Sequence, residues 1–528
     1  VPSGRESARE VIGRVASAFT ELPDGLPGWP GGGEERGGCE EGGGAGQPAG
    51  GDDPLGGPGR VGSNNPLGHP HNAATNSPPG GPSHTATDGP PGEPHHTDTD
   101  SPPGGPSHTG PDGPLAWPGY GDQLSRATAS TGERESVVCG VADIGGVTAV
   151  VVAFEFGFLG GSLGTRTGAR IEQAIAHARE LRVPVVSLVA TGGSRMQEGT
   201  LALMQLPRIA RQLTLTREVG LPHVSVLRDP TTGGGWATLG AGADVVLGLR
   251  GAQVGFAGSR VRPPGYAVAQ QFEAGLVDQL VTPGELRARL ERWLRLLTTP
   301  AHGPAPVPDA LGATAVPKTG WDAVLRARAA SRPRARDYLA AYFDWYEPIS
   351  GDRAGGVDSG VLCGFGHRDG RTIAYAAQCG TATRPAGFRT AARLVALADR
   401  LGVPVLTLVD TPGAANDAAA EEAGVGAAIA GLFTAIAAAR VPVTTLLIGE
   451  GGSGGALAFA APDRLWVTPD SYLAVISPEL AAAILKREPA QARQTADQLR
   501  LRPQDLVELG IAAGIAQLGR SPGQATAM

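Results

Sequence analysis

The chain says nearly the same thing twice. Arg182-Val183-Pro184-Val185-Val186-Ser187-Leu188-Val189 runs into Thr191-Gly192-Gly193, and 220 positions later Gly402-Val403-Pro404-Val405-Leu406-Thr407-Leu408-Val409 runs into Thr411-Pro412-Gly413. Each stretch has the apolar, β-branched character of a strand buried on both faces and ends in a glycine-containing turn. The echo continues downstream. Leu221 to Leu227 leads to Gly233-Gly234-Gly235 and Asp244-Val245-Val246, while Val441 to Leu447 leads to Gly451-Gly452-Ser453-Gly454-Gly455 and Asp463-Arg464-Leu465-Trp466. Ala- and Arg-rich helical stretches, such as 168–181 and 390–401, alternate with these strands, a pattern that calls for a mainly parallel sheet in each half. Two copies of one α/β unit, fused head to tail, are the economical reading.

The 528 residues hold two to four domains' worth of chain. The 81 glycines and 45 prolines are unevenly spread, with much of the excess between Pro23 and Pro118. From Pro70 a twelve-residue unit recurs, beginning at Pro70, Pro82, Pro94 and Pro106. Too little apolar surface lies here to offset ordering entropy, so 23–118 is expected to be a disordered insertion. It carries His69, His71, His84, His95, His96 and His108, for which composition favours a linker expanded by slippage over weak metal binding. The organisation expected is an N-terminal helix in 1–22 (Val11, Ile12, Val15 and Phe19 at helical spacing), the tract, a first domain over 119–299, a Pro/Ala linker over 300–319, and a second domain over 320–528.

Net charge is −7, which argues against wholesale nucleic-acid binding. No apolar run is long enough for a membrane span and no signal-peptide core is evident, so a cytoplasmic protein is expected. Cys39, Cys139, Cys363 and Cys379 are scattered with no C-x-x-C pair, and no metal site is expected from them.

The glycine turns invite several readings. Gly449-x-Gly451-x-x-Gly454 matches a dinucleotide fingerprint, but only 455–461 remains for a helix before Leu465, too short for a βαβ crossover. Gly451-x-Ser453-x-Gly455 matches a nucleophile elbow, yet the last histidine is His367, upstream of it. No Gly-Lys-Ser/Thr follows, which removes a phosphate-binding loop. What remains is the backbone. A strand that ends in Gly-Gly and opens a helix exposes N–H groups, with the positive end of the helix dipole behind them, and suits an oxyanion. Glycines kept only for tight strand–helix packing would explain one such turn; its recurrence at matching places in both halves favours function.

Several blocks carry a family resemblance. Phe154-Glu155-Phe156-Gly157-Phe158-Leu159-Gly160-Gly161-Ser162-Leu163-Gly164, Gly192-Gly193-Ser194-Arg195-Met196-Gln197-Glu198, Asp229-Pro230-Thr231-Thr232-Gly233-Gly234 and Gly255-Phe256-Ala257-Gly258 resemble the carboxyltransferase β subunit of bacterial acetyl-CoA carboxylase. Gly351-Asp352-Arg353, Asp410-Thr411-Pro412-Gly413-Ala414, the run Gly449 to Ala458, and Val475-Ile476-Ser477-Pro478-Glu479 resemble the α subunit. The chain looks like a β–α fusion.

The resemblance implies two tandem crotonase-like (ClpP/crotonase) domains of α/β class and carboxyl transfer from carboxybiotin to an acyl-CoA, taken as acetyl-CoA giving malonyl-CoA. Two oxyanions develop in such a transfer, which fits two holes. By position, Gly192 and Gly193 would hold the thioester oxygen, and Gly454 and Gly455 the biotin ureido oxygen. Gly233, Gly234 and Gly413 would line the substrate site, and Arg195 and Arg260 would pair with CoA phosphates. Glu198 and Glu450 are expected to brace their turns. Neither Lys318 nor Lys486 sits between two methionines as a biotin-carrying lysine does, so biotin on a separate carboxyl carrier protein, and a separate biotin carboxylase, are implied. A homodimer is also implied, with each site between a first half and a second half of different chains. Departures are the missing four-Cys zinc ribbon, Ala415-Asn416-Asp417-Ala418 in place of an aromatic-Pro-Gly stretch, and a short, weakly basic Gln378-Cys379-Gly380-Thr381. The rival readings are a biotin-independent malonyl-thioester decarboxylase, which needs only the first hole, and a catalytically silent scaffold subunit.

Overall fold

A computed structural model of the chain describes residues 5–23, 112–258, 266–299 and 302–517. The repeat tract lies outside the described residues from 24 to 111; its last stretch, 112–118, forms turns that lead into the helix Tyr120–Thr131.

Two sheets with the same topology carry the two halves. In the first, Ala18–Glu21, Val137–Ile144 and Val147–Phe154 pair antiparallel, and Val185–Thr191, His223–Thr232, Val245–Leu249 and Gln279–Val281 continue in parallel. In the second, Trp345–Ile349, Val361–Arg368 and Arg371–Gln378 are antiparallel, and Val405–Thr411, Val443–Gly452, Leu465–Val467 and Gly514–Ile515 follow in parallel. The repeated Val-rich runs are therefore the two central strands of each sheet. Both are buried along almost their whole length, as an unbroken apolar run requires when helices cover both sheet faces.

The helices keep step with the strands. Thr165–Leu181 and Pro385–Leu401 have the same length, as do Gln205–Glu218 and Val425–Ala438. Ile171, Ala174, Ile175 and Ala178 repeat at three- and four-residue spacing and face the sheet. Both longer helices end on a left-handed residue, Arg182 and Gly402, before a Val-Pro step whose proline could not continue the helix.

The halves share one core. The helix Leu286–Thr298 sends Leu290, Trp293 and Leu294 toward both sheets, with Trp293 edge-on to Phe365 at 6.3 Å. Ala8, Val11, Ile12 and Val15 of the N-terminal helix Ala8–Val15 join the same cluster. The helix expected over 1–22 spans Ala8–Val15 alone, and Phe19, counted in its spacing, lies instead in a short strand, Ala18–Glu21, on the edge of the first sheet. A capping box between Ser7 and Glu10 starts that helix, and the buried Arg228 guanidinium donates to the Glu6 and Phe154 carbonyls.

Buried charges tie the halves together. Asp278 accepts from Arg353 (2.5 Å), Arg393 (2.8 Å) and the Ser350 N–H (3.2 Å). Burial alone would raise its pKa, but the two guanidinium charges outweigh that and hold the carboxyl below its ordinary value. Nearby, Glu347 takes Arg289 and Arg292, and the backbones of Gly275 and Gly351 meet so closely that a Cβ on Gly351 would sit 2.1 Å from the Gly275 Cα. Asp278→Ala would leave two half-buried arginines without their carboxylate, and chemical denaturation should show a loss of about 3 kcal/mol.

His223 supplies a second prediction. It is fully buried with Nε2 2.8 Å from the Ser187 hydroxyl, and burial pushes its pKa down to about 4. In the unfolded chain it takes a proton near its ordinary value, so this contribution is complete above that value and is lost as pH falls toward 4. From pH 7 to pH 5 it amounts to about 2 kcal/mol. Unfolding free energies of His223→Gln, which has no proton to take up, should fall less over that interval than those of the wild type.

Candidate active site at two glycine turns

The central strands of each sheet end in turns that lean on one another. In the first half the ladder register breaks between Val189 and Thr191, and in the second between Val409 and Thr411. The chain then swings back to a parallel bridge, Leu163 with Ser194 and, 220 positions on, Thr383 with Ala414. At the crossing, Gly193 has φ +107° and Gly413 φ +144°. The facing strands end on Gly233 at φ +61° and on Ser453 at φ +53°. These are left-handed conformations that L side chains rarely adopt.

Space as well as dihedral angle excludes side chains. A Cβ on Gly233 would come within 3.1 Å of the Gly193 Cα. One on Gly455 would sit 2.3 Å from the Ala414 nitrogen, and one on Gly235 would sit 2.4 Å from Thr191 Cγ2. Helical turns begin there, Gly233–Gly235 and Ser453–Leu457. The first N–H groups of a helix have no intrahelical acceptor. Among the described residues no acceptor is recorded for the N–H of Gly234, Gly454 or Gly455.

The expected donors fare differently. Gly192 is committed, its N–H donating to the Gly160 carbonyl at 2.8 Å, so it is not an open donor. Gly193 and Gly413 both donate to the threonine hydroxyl two residues back, Thr191 and Thr411, at a long 3.1 Å. A cavity of about 540 Å³ opens beside the first turn, with Phe156, Gly160, Gly192, Ser194, Pro230 and Thr232 on its walls.

Arg195 does not face that cavity with its charge. The side chain is 1 % exposed, and its nitrogens donate to Glu135 (2.5 and 3.1 Å), the Tyr120 hydroxyl (3.2 Å), Glu198 (3.3 Å) and the Ser162 carbonyl (2.9 Å). Burial works against the charge, but Glu135 and Glu198 more than offset it and the pKa is raised. The expectation that Arg195 reaches a phosphate therefore meets a guanidinium already spent on bracing the turn. Arg260 lies outside the described residues. Glu198 accepts from the N–H and hydroxyl of Thr165 (2.6 and 2.7 Å) and from Tyr120 (2.6 Å). Burial raises its pKa, and these donors together with Arg195 outweigh burial and lower it, so Glu198 is an ionised brace.

The second turn is held with the charges reversed. Buried Asp410 takes Arg332 at 2.5 Å, Arg334 at 3.1 Å and the Glu450 N–H at 3.1 Å. Glu450 in turn accepts from the Tyr472 hydroxyl at 2.9 Å and lies 3.3 Å from Arg328. Sequence reasoning missed Tyr120, Glu135, Arg332 and Arg334. The one signal was an acidic residue, Asp410, ending an otherwise apolar strand where the first half has Ala190. Among the described residues no group of three His, Cys, Asp or Glu side chains is placed to hold a metal ion, and no helix is long and apolar enough to cross a membrane.

The turns make a clear steric prediction. Gly455→Ala forces a Cβ into backbone and should cost about 1–3 kcal/mol by urea denaturation. Gly454→Ala, with nothing within 4 Å of the new methyl, should leave stability unchanged.

Both halves of the chain are similar to known proteins. Residues 316–521 match the family described as acetyl co-enzyme A carboxylase carboxyltransferase-like, and residues 117–263 match the carboxyl transferase domain. The acetyl-coenzyme A carboxylase carboxyl transferase subunits beta/alpha of Saccharopolyspora erythraea is 37% identical over 425 residues, covering 75% of this chain and 74% of its own. The protein of the same name from Salinispora arenicola is 40% identical over 427 residues, covering 74% and 75%. A solved transcarboxylase 12S superposes with a TM-score of 0.62 at 18% identity, over 74% of this chain and 84% of that one, a likeness of fold. Two tandem crotonase-like domains, matched at this identity over three quarters of the sequence, make the chain a member of the acetyl-CoA carboxylase carboxyltransferase family.

Proposed function

We propose that the chain is a cytoplasmic carboxyltransferase component that moves a carboxyl group from biotin, borne on a separate carrier protein and loaded by a separate biotin carboxylase, to acetyl-CoA, giving malonyl-CoA. The observation that carries this reading is the pair of equivalent notches, each with unpaired helix N–H groups behind a glycine crossing.

In the first half the thioester oxygen sits against the N–H groups of Gly193 and Gly234. Gly193 can exchange its long bond to Thr191 for a charged acceptor, and Gly234 has no other. As the α-carbon of the acyl group loses its proton, negative charge moves onto that oxygen. Two preorganised donors and the helix end stabilise it there, each donor by about 3 kcal/mol. The α-proton would pass to the biotin ureido nitrogen as that nitrogen's bond to the carboxyl carbon breaks, and the α-carbon would take the carboxyl carbon in its place. In the second half the N–H groups of Gly454 and Gly455 suit the ureido oxygen of biotin, whose carboxylated form supplies the one-carbon unit. The fit rests on chemistry: two open N–H donors for one acceptor oxygen. What the protein contributes is position and fixed dipoles, without a side-chain base.

Exposed apolar residues flank both turns, which supports a homodimer in which a second copy covers them. Phe256 (72 % exposed) and Val475 (79 % exposed) hold equivalent places, each following the residue that pairs with the end of a central strand. Met196, Leu480 and Ile484 are exposed as well. Patches of this kind mark interaction surfaces.

The reverse reaction tests the reading. Purified protein with malonyl-CoA should release its carboxyl group only when a free biotin derivative is added. Release without biotin would favour the decarboxylase, and no release, repeated with methylmalonyl-CoA, would favour the scaffold.

A further inference from the structure

The cavity beside the first turn has an aromatic wall that is held from outside by a residue far off in the chain. Phe156 and Pro230 both line the cavity, with Gly192 and Thr232 of the turn. The Arg5 guanidinium lies over the Phe156 ring, 4.6 Å from its centroid. Its Nε and Nη2 donate to Asp229, the residue before Pro230, at 3.2 and 3.0 Å. One side chain of the N-terminal segment therefore ties together two stretches of cavity wall, 155–157 and 228–230.

The backbone of the same segment reinforces that tie. Ala8 donates its N–H to the buried carboxylate of Glu155 at 2.8 Å, and the other oxygen of that carboxylate accepts from the Gly157 N–H at 2.8 Å. Arg228 reaches back to the Glu6 carbonyl and, at 2.9 Å, to that of Phe154. The chain on either side of Phe156 is thus pinned. What remains to be set is the ring, which is half-buried, and Arg5 is the charged group laid upon it. Helix stability does not account for this arginine. It stands two residues before the N-cap Ser7, at the positive end of the helix dipole, where a cation is disfavoured. The helix already has its start in the Ser7–Glu10 capping box.

We propose that Arg5 is a positioning residue for acyl-group selection: by holding the Phe156 ring against the first cavity it keeps that cavity narrow, so that unbranched acetyl and malonyl thioesters are favoured over those with a substituent on the α-carbon. The proposal rests on the reading of the first notch as the seat of the thioester. On the turn side the wall is glycine backbone at Gly160 and Gly192, locked by their mutual hydrogen bond of 2.8 Å, and cannot give way. The ring is the wall that can move. Without the guanidinium it gains rotamers that swing it into the space the arginine held, and an α-methyl group finds room.

The test measures kcat/KM for malonyl-CoA and for methylmalonyl-CoA in the full chain, each with a saturating free biotin derivative. Arg5→Ala and, from the other end of the ion pair, Asp229→Asn should raise the methylmalonyl-to-malonyl ratio by about threefold to tenfold, as expected for loss of a cation–π contact and a half-exposed ion pair. KM for the biotin derivative should stay at its wild-type value. Phe156→Ala should raise the ratio further, by about tenfold or more. R5A added to F156A should then change nothing, because the arginine acts through the ring. An arginine with only a structural role would lower the melting temperature and both rates together and leave the ratio where it was. The proposal is overturned if R5A and D229N keep the ratio within about twofold of wild type, or if R5A shifts it as much in the F156A background as alone. A wild type that moves no carboxyl group from either thioester sinks the functional reading and this proposal with it. Release without biotin overturns the transfer reading alone, and the ratio still decides the role of Arg5.

Discussion

The centre of this molecule depends on two backbone crossings at which Gly233, Gly235 and Gly455 leave little or no room for a side chain. A 2.3 Å clearance between a Cβ on Gly455 and the Ala414 nitrogen decides which residues can stand there, how far the strands can run, and where the following helix must begin. The register breaks at Val189/Thr191 and Val409/Thr411 are the geometric response. The strands stop pairing in step so that one end can pass across the other. From that crossing come the N–H groups that point outward unpaired, because a helix that opens on glycine offers its first donors to whatever lies in front.

Each crossing needs a rigid support, and the halves supply it with opposite charge. Around the first, a buried cation, Arg195, is surrounded by Glu135, Glu198 and Tyr120. Around the second, a buried anion, Asp410, is surrounded by Arg332, Arg334 and a backbone N–H. Both are charge-assisted networks with excellent geometry, the condition under which buried ions hold a loop still. The two halves share a topology but not the chemistry that braces it.

Much of this was legible in the sequence. The Val-Pro-Val runs announced the central strands and the recurring glycine clusters announced the turns, while the apolar spacing over Val11, Ile12, Val15 and Phe19 carried the N-terminal helix one turn too far, since Phe19 belongs to a strand. What could not be read was which N–H groups remain open. Gly192 looks identical to Gly193 in the sequence, yet one is paired with Gly160 and the other only loosely with Thr191, a distinction made by a carbonyl more than thirty residues away. The partners of Arg195 were hidden for a related reason. An arginine beside a glycine turn suggests a phosphate, and only the tertiary fold brings Glu135 and Tyr120 around it. The short strand Ala18–Glu21 escaped notice because its partner, Val137–Ile144, lies across the whole repeat tract.

The equal spacing of the two copies has a consequence of its own. From the bridge at Leu163 or Thr383, through a helix, a strand, a turn and a second helix, to Gly235 or Gly455, the copies stay in register residue for residue, although few side chains still agree. Side-chain identity has been free to drift across this span while its length has not. Both ends of the span converge on one crossing, so a change of length not taken up within the span displaces a contact with little slack. Loop grafts, tags and reporter insertions therefore belong outside these two windows.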